Sequence, residues 1–249
     1  MPEQQTKLFI AGPVIPANSY PGRKGAAGTW QKIVSNVPKC DLFIDAMCGS
    51  GIIGSLIKNC QVIFNDIDRN VIDNIRTSSD FALFLNEPYQ EIIKRFDNGN
   101  KGRVFYFDPP YILNTRSWQQ PIYKFDWGKV EHEQFVKVIL KMKCNVMLSH
   151  YPCDFYDKAL KKWRKITYNA ITRAGVRKES LYMNFPQPVL LQCADHIGEN
   201  FTDRQRIKRK VERQINRLKN ETDQERAAIL TKIIEHFSYV KDVDSTKKD

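Results

Sequence analysis

Val104-Phe105-Tyr106-Phe107-Asp108-Pro109-Pro110-Tyr111 is the stretch on which the reading of this 249-residue chain turns. Its apolar half makes a short buried strand, and an acid, two prolines and a tyrosine close it. A carboxylate and an aromatic at the carboxyl end of a strand fill a core poorly. They suit a flat, amine-bearing ring, with Asp108 and the Pro109 carbonyl as hydrogen-bond acceptors and Tyr111 as a stacking face. Pro109 and Pro110 hold their own φ angles and restrict the residue before each, so the acceptors have little conformational freedom. Taken alone, the same residues also fit an ordinary strand-to-loop turn.

Working outward, strands and helices alternate. Residues 42–44 and 62–64 read as buried strands, with a helix-compatible run at 52–58 between them. Residues 70–85 read as a helix burying Val71, Ile72, Ile75 and Phe81; 135–142 is another helix and 145–148 another strand. Such alternation predicts a mostly parallel sheet with helices on both faces. Residues 163–172 and 179–185 read as an antiparallel hairpin at the sheet edge. The chain changes character at about Phe201, dividing it into a domain over 1–200 and a helical extension over 201–249. Thr202-x-x-Gln205 and Thr222-x-x-Glu225 fit capping boxes. Apolar stripes at Ile207, Val211, Ile215 and Leu218, then at Ile229, Leu230, Ile233, Ile234 and Phe237, predict a basic helical hairpin packed on the preceding domain, with a tail from Val240.

Gly49-Ser50-Gly51-Ile52-Ile53-Gly54 satisfies G-x-G-x-x-G after a strand, a pattern shared by dinucleotide sites and by packing turns. Here Asp45-Ala46-Met47-Cys48 intervenes, and a carboxylate at Asp45 disfavours a pyrophosphate but suits a cofactor with a cationic amino group. The turn therefore fits S-adenosylmethionine better than NAD. Asp66 closes the second strand at the edge where ligands bind in open α/β folds, and a carboxylate there can accept from both hydroxyls of a ribose. Capping of the following helix by Asp66 or Asp68 is the structural alternative. Cys48, beside the glycines, and Ile67, beside Asp66, join the cofactor candidates. Upstream, Tyr20-Pro21-Gly22-Arg23-Lys24-Gly25 offers an aromatic, a flexible turn and a cation that could close over the cofactor.

A net charge of +11 and a pI near 9.3 point to a polyanionic partner, nucleic acid first. Between Asp203 and Lys219, eight basic residues oppose two acidic ones, and Lys208, Arg209 and Lys210 are the phosphate-contact candidates. Arg116 and Trp118, in a segment that also holds Tyr123, Lys124, Phe125 and Trp127, could grip phosphates and unstacked bases, or fold as an apolar lid. Arg173, Arg177 and Lys178 form another basic turn. Six scattered cysteines without C-x-x-C spacing read as reduced thiols, and no zinc-ligand pattern appears. The N-terminal apolar run lacks a basic n-region, and no run approaches the ~18–20 residues that span a bilayer. A cytoplasmic protein acting without a metal is the expectation, with a monomer favoured and the oligomeric state left open.

In order, Tyr20-Pro-Gly-Arg-Lys-Gly-Ala-Ala-Gly, Phe43-Ile-Asp-Ala-Met-Cys-Gly-Ser-Gly, Asn65-Asp-Ile-Asp, Asp108-Pro-Pro-Tyr, Ser149-His-Tyr-Pro, Thr172-Arg-Ala-Gly and Glu179-Ser-Leu-Tyr-Met-Asn-Phe resemble the Dam-like adenine-specific DNA methyltransferases. The resemblance is greatest to compact phage and prophage members, whose basic tail is similar to residues 198–220. It implies a class I, Rossmann-like methyltransferase fold: a mostly parallel seven-stranded sheet with one antiparallel strand, here followed by a C-terminal helical extension. It implies that Tyr20, Lys24, Asp45, Gly49 and Gly51 bind S-adenosylmethionine, that Asp66 holds its ribose, and that Asp108, Pro109, Pro110 and Tyr111 hold a base flipped from double-stranded DNA. Two departures stand out. Residues 86–103 are too few for the recognition domain of larger members, and the acid that contacts the cofactor's adenine ring is unassigned, with Asp97 a candidate.

Overall fold

In the computed structural model, which describes residues 24–25, 28–76, 82–112, 124–172 and 175–245, strands form where apolar and aromatic residues cluster. They are β1 (Leu42–Asp45), β2 (Gln61–Asn65), β3 (Leu83–Leu85), β4 (Arg103–Phe107), β5 (Asn145–His150), β6 (Arg164–Thr172) and β7 (Gly175–Met183). The helices of this part are α1 (Thr29–Val34), α2 (Ile52–Leu56), α3 (Arg69–Arg76), α4 (Tyr89–Phe96), α5 (Lys129–Ile139) and α6 (Asp154–Ala159). One sheet takes the order β3-β2-β1-β4-β5-β7-β6. Neighbours from β3 to β5 are parallel, and β7 runs antiparallel to both β5 and β6. This is the class I, Rossmann-like methyltransferase arrangement that the sequence led us to expect.

Alternation along the strands sends successive side chains to opposite faces. Phe43, Phe64, Tyr106, Met147, Leu181 and Met183 pack with α1, α2 and α3 on one face. Ile44, Ile63, Phe105, Phe107, Leu148 and Tyr182 pack with α4, α5 and α6 on the other. Burying one such side chain contributes about 1.5–3 kcal/mol. The same parity carries Asp45 and Glu179 to the α1–α3 face. The order reverses between β1 and β4, and the crevice beyond their carboxyl ends is where an open α/β sheet binds its ligand.

Several features differ from the sequence reading. Where a helix was expected over 70–85, α3 spans Arg69–Arg76, Phe81 lies outside the described residues, and Leu83–Leu85 is the edge strand β3, too short to show a period of its own. The helices α1, α4 and α6 had no counterpart in that reading. Asp97 lies at the amino edge of the sheet: its carboxylate accepts from the amides of Lys143 and Cys144, at 3.0 and 2.7 Å, and ties the end of α4 to the start of β5. That is a structural duty, on the edge opposite the crevice. All six cysteines are free thiols.

The chain divides into two units, Met1–Ala194 and Asp195–Asp249. The second contains α7 (Phe201–Lys219) and α8 (Asp223–Ser245). Asn200, not Thr202, caps α7, its side chain accepting from the Asp203 amide at 2.9 Å. The box at Thr222 and Glu225 closes as expected, with bonds of 3.0 and 3.3 Å. Val211, Ile215, Ile229, Leu230, Ile233, Ile234 and Phe237 are all exposed, and α8 continues through Ser245 where a tail was expected. Lys208, Arg209 and Lys210 are exposed on α7. Among the described residues, no helix is long and apolar enough to cross a membrane.

Candidate functional site

At the end of β1 the chain makes a tight turn that only glycine enters without strain: Gly49 has φ 49° and Gly51 has φ 73°. Gly51 caps α2, and a Cβ on Gly54 would sit 2.4 Å from Phe64 Cε1, so this helix packs directly on β2. The close approach brings the Gly54 amide to Asp45 Oδ2 at 3.1 Å. Asp45 is 1% exposed, and its Oδ1 has no hydrogen-bond partner. Burial, only partly offset by the Gly54 amide, pushes its pKa up to about 8. A buried carboxylate with a vacant oxygen is matched to a cation or a protonated amine.

Asp66 follows β2. Its Oδ2 accepts from the Gly49 amide and its Oδ1 from the Asp68 amide, both at 3.0 Å. Burial raises its pKa as well, against these two bonds. The acceptor capacity left on this carboxylate faces the crevice edge and suits a ribose hydroxyl. Helix capping falls to Asp68, which accepts from the Asn70 amide at 3.0 Å. Asn65 binds the loops together, donating to the carbonyls of Ala46 and Glu87 at 3.0 Å and accepting from the Glu87 amide. Ile67 is 44% exposed beside Asp66, whereas Cys48 is buried beneath the turn. Burial, with Asp45 and Asp66 adding to it, keeps the Cys48 thiol protonated.

Across the switch point, Asp108 emerges from β4 with its side chain 20% exposed. Lys24, itself buried, places Nζ 3.1 Å from Asp108 Oδ1 and 3.4 Å from Glu179 Oε1. It also donates to the Tyr111 hydroxyl and lies 4.5 Å from the centre of that ring. Burial raises the Asp108 pKa to about 6, with Lys24 opposing and Glu179 adding to the rise. The Tyr111 ring is walled by His150 at 4.6 Å and by Tyr151 at 4.4 Å and 71°. His150 Nε2 accepts from the Ile112 amide at 3.0 Å while Nδ1 donates to the Tyr151 carbonyl at 2.8 Å, which sets the tautomer and pins the loop after Tyr111. Tyr106 beneath is bonded to Ser149 at 2.9 Å.

The residues predicted from sequence thus gather in two adjoining groups: Asp45, Cys48, Gly49, Gly51, Asp66 and Ile67 at β1 and β2, and Lys24, Asp108, Pro109, Pro110 and Tyr111 beyond β4. Lys24, expected at the cofactor, meets Asp108, Glu179 and Tyr111. Tyr20, Arg116, Trp118 and Arg173 lie outside the described residues. Arg177 stacks over Tyr151 at 5.8 Å. Trp127, partly buried, packs against Tyr89, His132 and Phe135 at the margin of the core. Glu179 and His150 had no individual role in the sequence reading. For Glu179 the alternation Glu179, Leu181, Met183 was a usable signal, since it sets an acid on the buried face of β7.

No protein-family model and no curated protein matches the chain. Among solved structures, the precorrin 8w decarboxylase of Methanobacterium thermoautotrophicum is similar at 13% identity over 69% of this chain and 96% of that one, with a TM-score of 0.42. An rRNA methylase of Streptococcus thermophilus is similar at 10% identity over 62% and 90%, with a TM-score of 0.38. A dimethyladenosine transferase of Plasmodium falciparum is similar at 14% identity over 62% and 60%, with a TM-score of 0.39. Likenesses this loose carry no weight for chemistry, which has to be argued from the site.

Proposed function

We propose that the chain transfers a methyl group from S-adenosylmethionine to the 6-amino group of adenine in double-stranded DNA. The observation that carries the reading is the pairing of two carboxylates across the switch point. Asp45 has a vacant oxygen suited to the cofactor's ammonium, and Asp108 stands beside Tyr111 with an amine, that of Lys24, already against it. Gly49 and Gly51 would let the backbone approach the cofactor, Asp66 would take its ribose hydroxyls, and Ile67 would pack on its adenine. Bound there, S-adenosylmethionine supplies an electrophilic methyl group.

The rest falls to this chain. The exocyclic amine of adenine is a weak nucleophile because its lone pair is delocalised into the ring. Asp108 and the Pro109 carbonyl would accept its two protons and draw the nitrogen toward a tetrahedral shape, while Tyr111, steadied by His150, stacks the flipped base. Positioning of this kind does more than base strength. With a pKa of about 6, Asp108 is ionised at neutral pH and can take the proton the amine must lose.

The deciding experiment is transfer from methyl-labelled S-adenosylmethionine to unmethylated duplex DNA, followed by nucleoside analysis. Label in 6-methyladenine is the expected result. Label in 4-methylcytosine would move the base assignment, and label confined to RNA, or none despite cofactor binding, would overturn the reading. For α7 we expect binding to DNA phosphates. Replacing Lys208, Arg209 and Lys210 with glutamine should weaken DNA binding alike across sequences and flatten its log-log salt slope by about 0.9 for each phosphate no longer neutralised. Fluorescence anisotropy at several salt concentrations reads that slope.

A further inference from the structure

Glu179 has no part in the chemistry above, yet it is the second carboxylate around Lys24 and more deeply buried than Asp108. It sits on β7, the strand that runs against β5, and is 5% exposed. Its Oε2 accepts from the Tyr168 hydroxyl at 3.3 Å, which leaves Oε1 turned to Lys24 at 3.4 Å. The same ammonium lies 3.1 Å from Asp108 and over the Tyr111 ring. Lys24 therefore makes the contacts that the amine of a bound base would need: a carboxylate acceptor and a tyrosine face. Lys24 lies on Oδ1, the buried oxygen of Asp108, so an incoming amine that draws on the carboxylate and the Tyr111 face competes with the ammonium for both, and a buried ammonium that shifts needs another anion to go to.

We propose that Glu179 is the positioning residue that draws Lys24 off Asp108 when the target amine arrives, so that the pocket keeps its cation while Asp108 turns to the substrate. The proposal rests on the amine-methylation reading given above. Lys24 lies between the two acids, so a small displacement transfers its charge. Among the described residues, the groups facing Asp108 are Lys24, Glu179 on β7, Tyr106 on β4, Tyr168 on β6, Tyr111 of its own loop, Tyr151 after β5 and Asp45 on β1, and of these Lys24 carries the positive charge. As Lys24 moves toward Glu179, Asp108 loses the cation that held its basicity down. It becomes a better proton acceptor just as the amine needs one.

A double-mutant cycle over pH 5–9 tests this, with wild type, Glu179→Gln, Lys24→Met and the double variant assayed on DNA, and Glu179→Asp as rescue. Without Glu179 the ammonium stays on Asp108. We expect KM for DNA to rise about fivefold with a smaller change in kcat, and the acid limb of kcat/KM to move to lower pH. In the Lys24→Met background the same substitution should change KM by less than about twofold, because no cation remains to be drawn away. Equal costs in both backgrounds, or an unmoved acid limb, would overturn the hand-over and leave Glu179 a fold residue. The Asp108 13Cγ titration, assigned through Asp108→Asn, gives a readout without activity. Glu179→Gln should lower its midpoint and Lys24→Met should raise it. Should wild type methylate no DNA, the functional reading falls, and that titration still decides whether Glu179 and Lys24 act on Asp108 together; an unmoved midpoint in Glu179→Gln refutes the proposal.

Discussion

Two carboxylate clusters share one face of one sheet and are built on opposite plans. At β1 and β2, Asp45 and Asp66 are held by backbone amides of Gly54, Gly49 and Asp68, and Asp45 keeps one oxygen without a partner. Beyond β4, Asp108 and Glu179 are held by a side chain, the Lys24 ammonium. Backbone donors cannot leave without unfolding the turn, so the first cluster is rigid and waits for a cation. A lysine can swing, so the second cluster holds a cation already and must exchange it. The difference suits a cofactor that binds the same way each time and a base that must be admitted and released.

The comparison can be broken at its strongest point first. Asp108→Asn should lower methyl transfer roughly 10²–10³-fold while leaving cofactor affinity, read by calorimetry, in place. An equal loss of cofactor binding would mean that the clusters act as one. Next, Asp45→Asn should weaken cofactor binding about 10- to 100-fold, the worth of a charge-assisted hydrogen bond. The pH dependence sharpens this. Asp45 has its folded pKa raised from 3.8 to about 8, so the free protein holds this proton better than the unfolded chain does, and the stability that goes with it is present at low pH and lost as pH rises through 8. Cofactor affinity should rise over the same interval as the carboxylate ionises. The ligand-free Asp45→Asn protein should melt above wild type at pH 8–9 and bind the cofactor with little pH dependence. Scanning calorimetry and titration across pH 6–9 check both. The smallest effect expected is in the second cluster: Lys24→Met should raise the acid limb of kcat/KM by about one pH unit. A limb that stays put would mean that the Lys24 charge does not govern the basicity of Asp108.

Much of this was legible because several signals were local. The apolar run into Asp108-Pro109-Pro110-Tyr111, the glycines after β1 and the acid closing β2 each depend on a few adjacent residues. The long β6–β7 hairpin showed for the same reason. What escaped depends on packing between distant segments. Leu83–Leu85 is a three-residue edge strand whose partner is β2, and nothing in its own residues separates it from the preceding helix. The helix α4 did carry signals, with Pro88 before it, Glu91 in its first turn and Lys94 and Arg95 in its last, but its short amphipathic run has only Ile92 fully buried. The orphan oxygen of Asp45 is a fact of burial, and the meeting of Lys24 with Glu179 spans 155 residues. Neither could be read before the sheet was assembled.

The antiparallel insertion of β7 between β5 and β6 has a consequence in time. On a ribosome, β1, β2 and β3 and the turn that holds Asp45 and Asp66 emerge long before residue 179, whereas the second cluster stays incomplete until β7 has been threaded beside a strand made about thirty residues earlier. Maturation of the nascent chain is therefore ordered, with the first cluster able to assemble during synthesis and the second only near its end. A half-made chain can expose Asp108 and Tyr111, but without Glu179 it lacks the second anion on which the exchange of Lys24 depends.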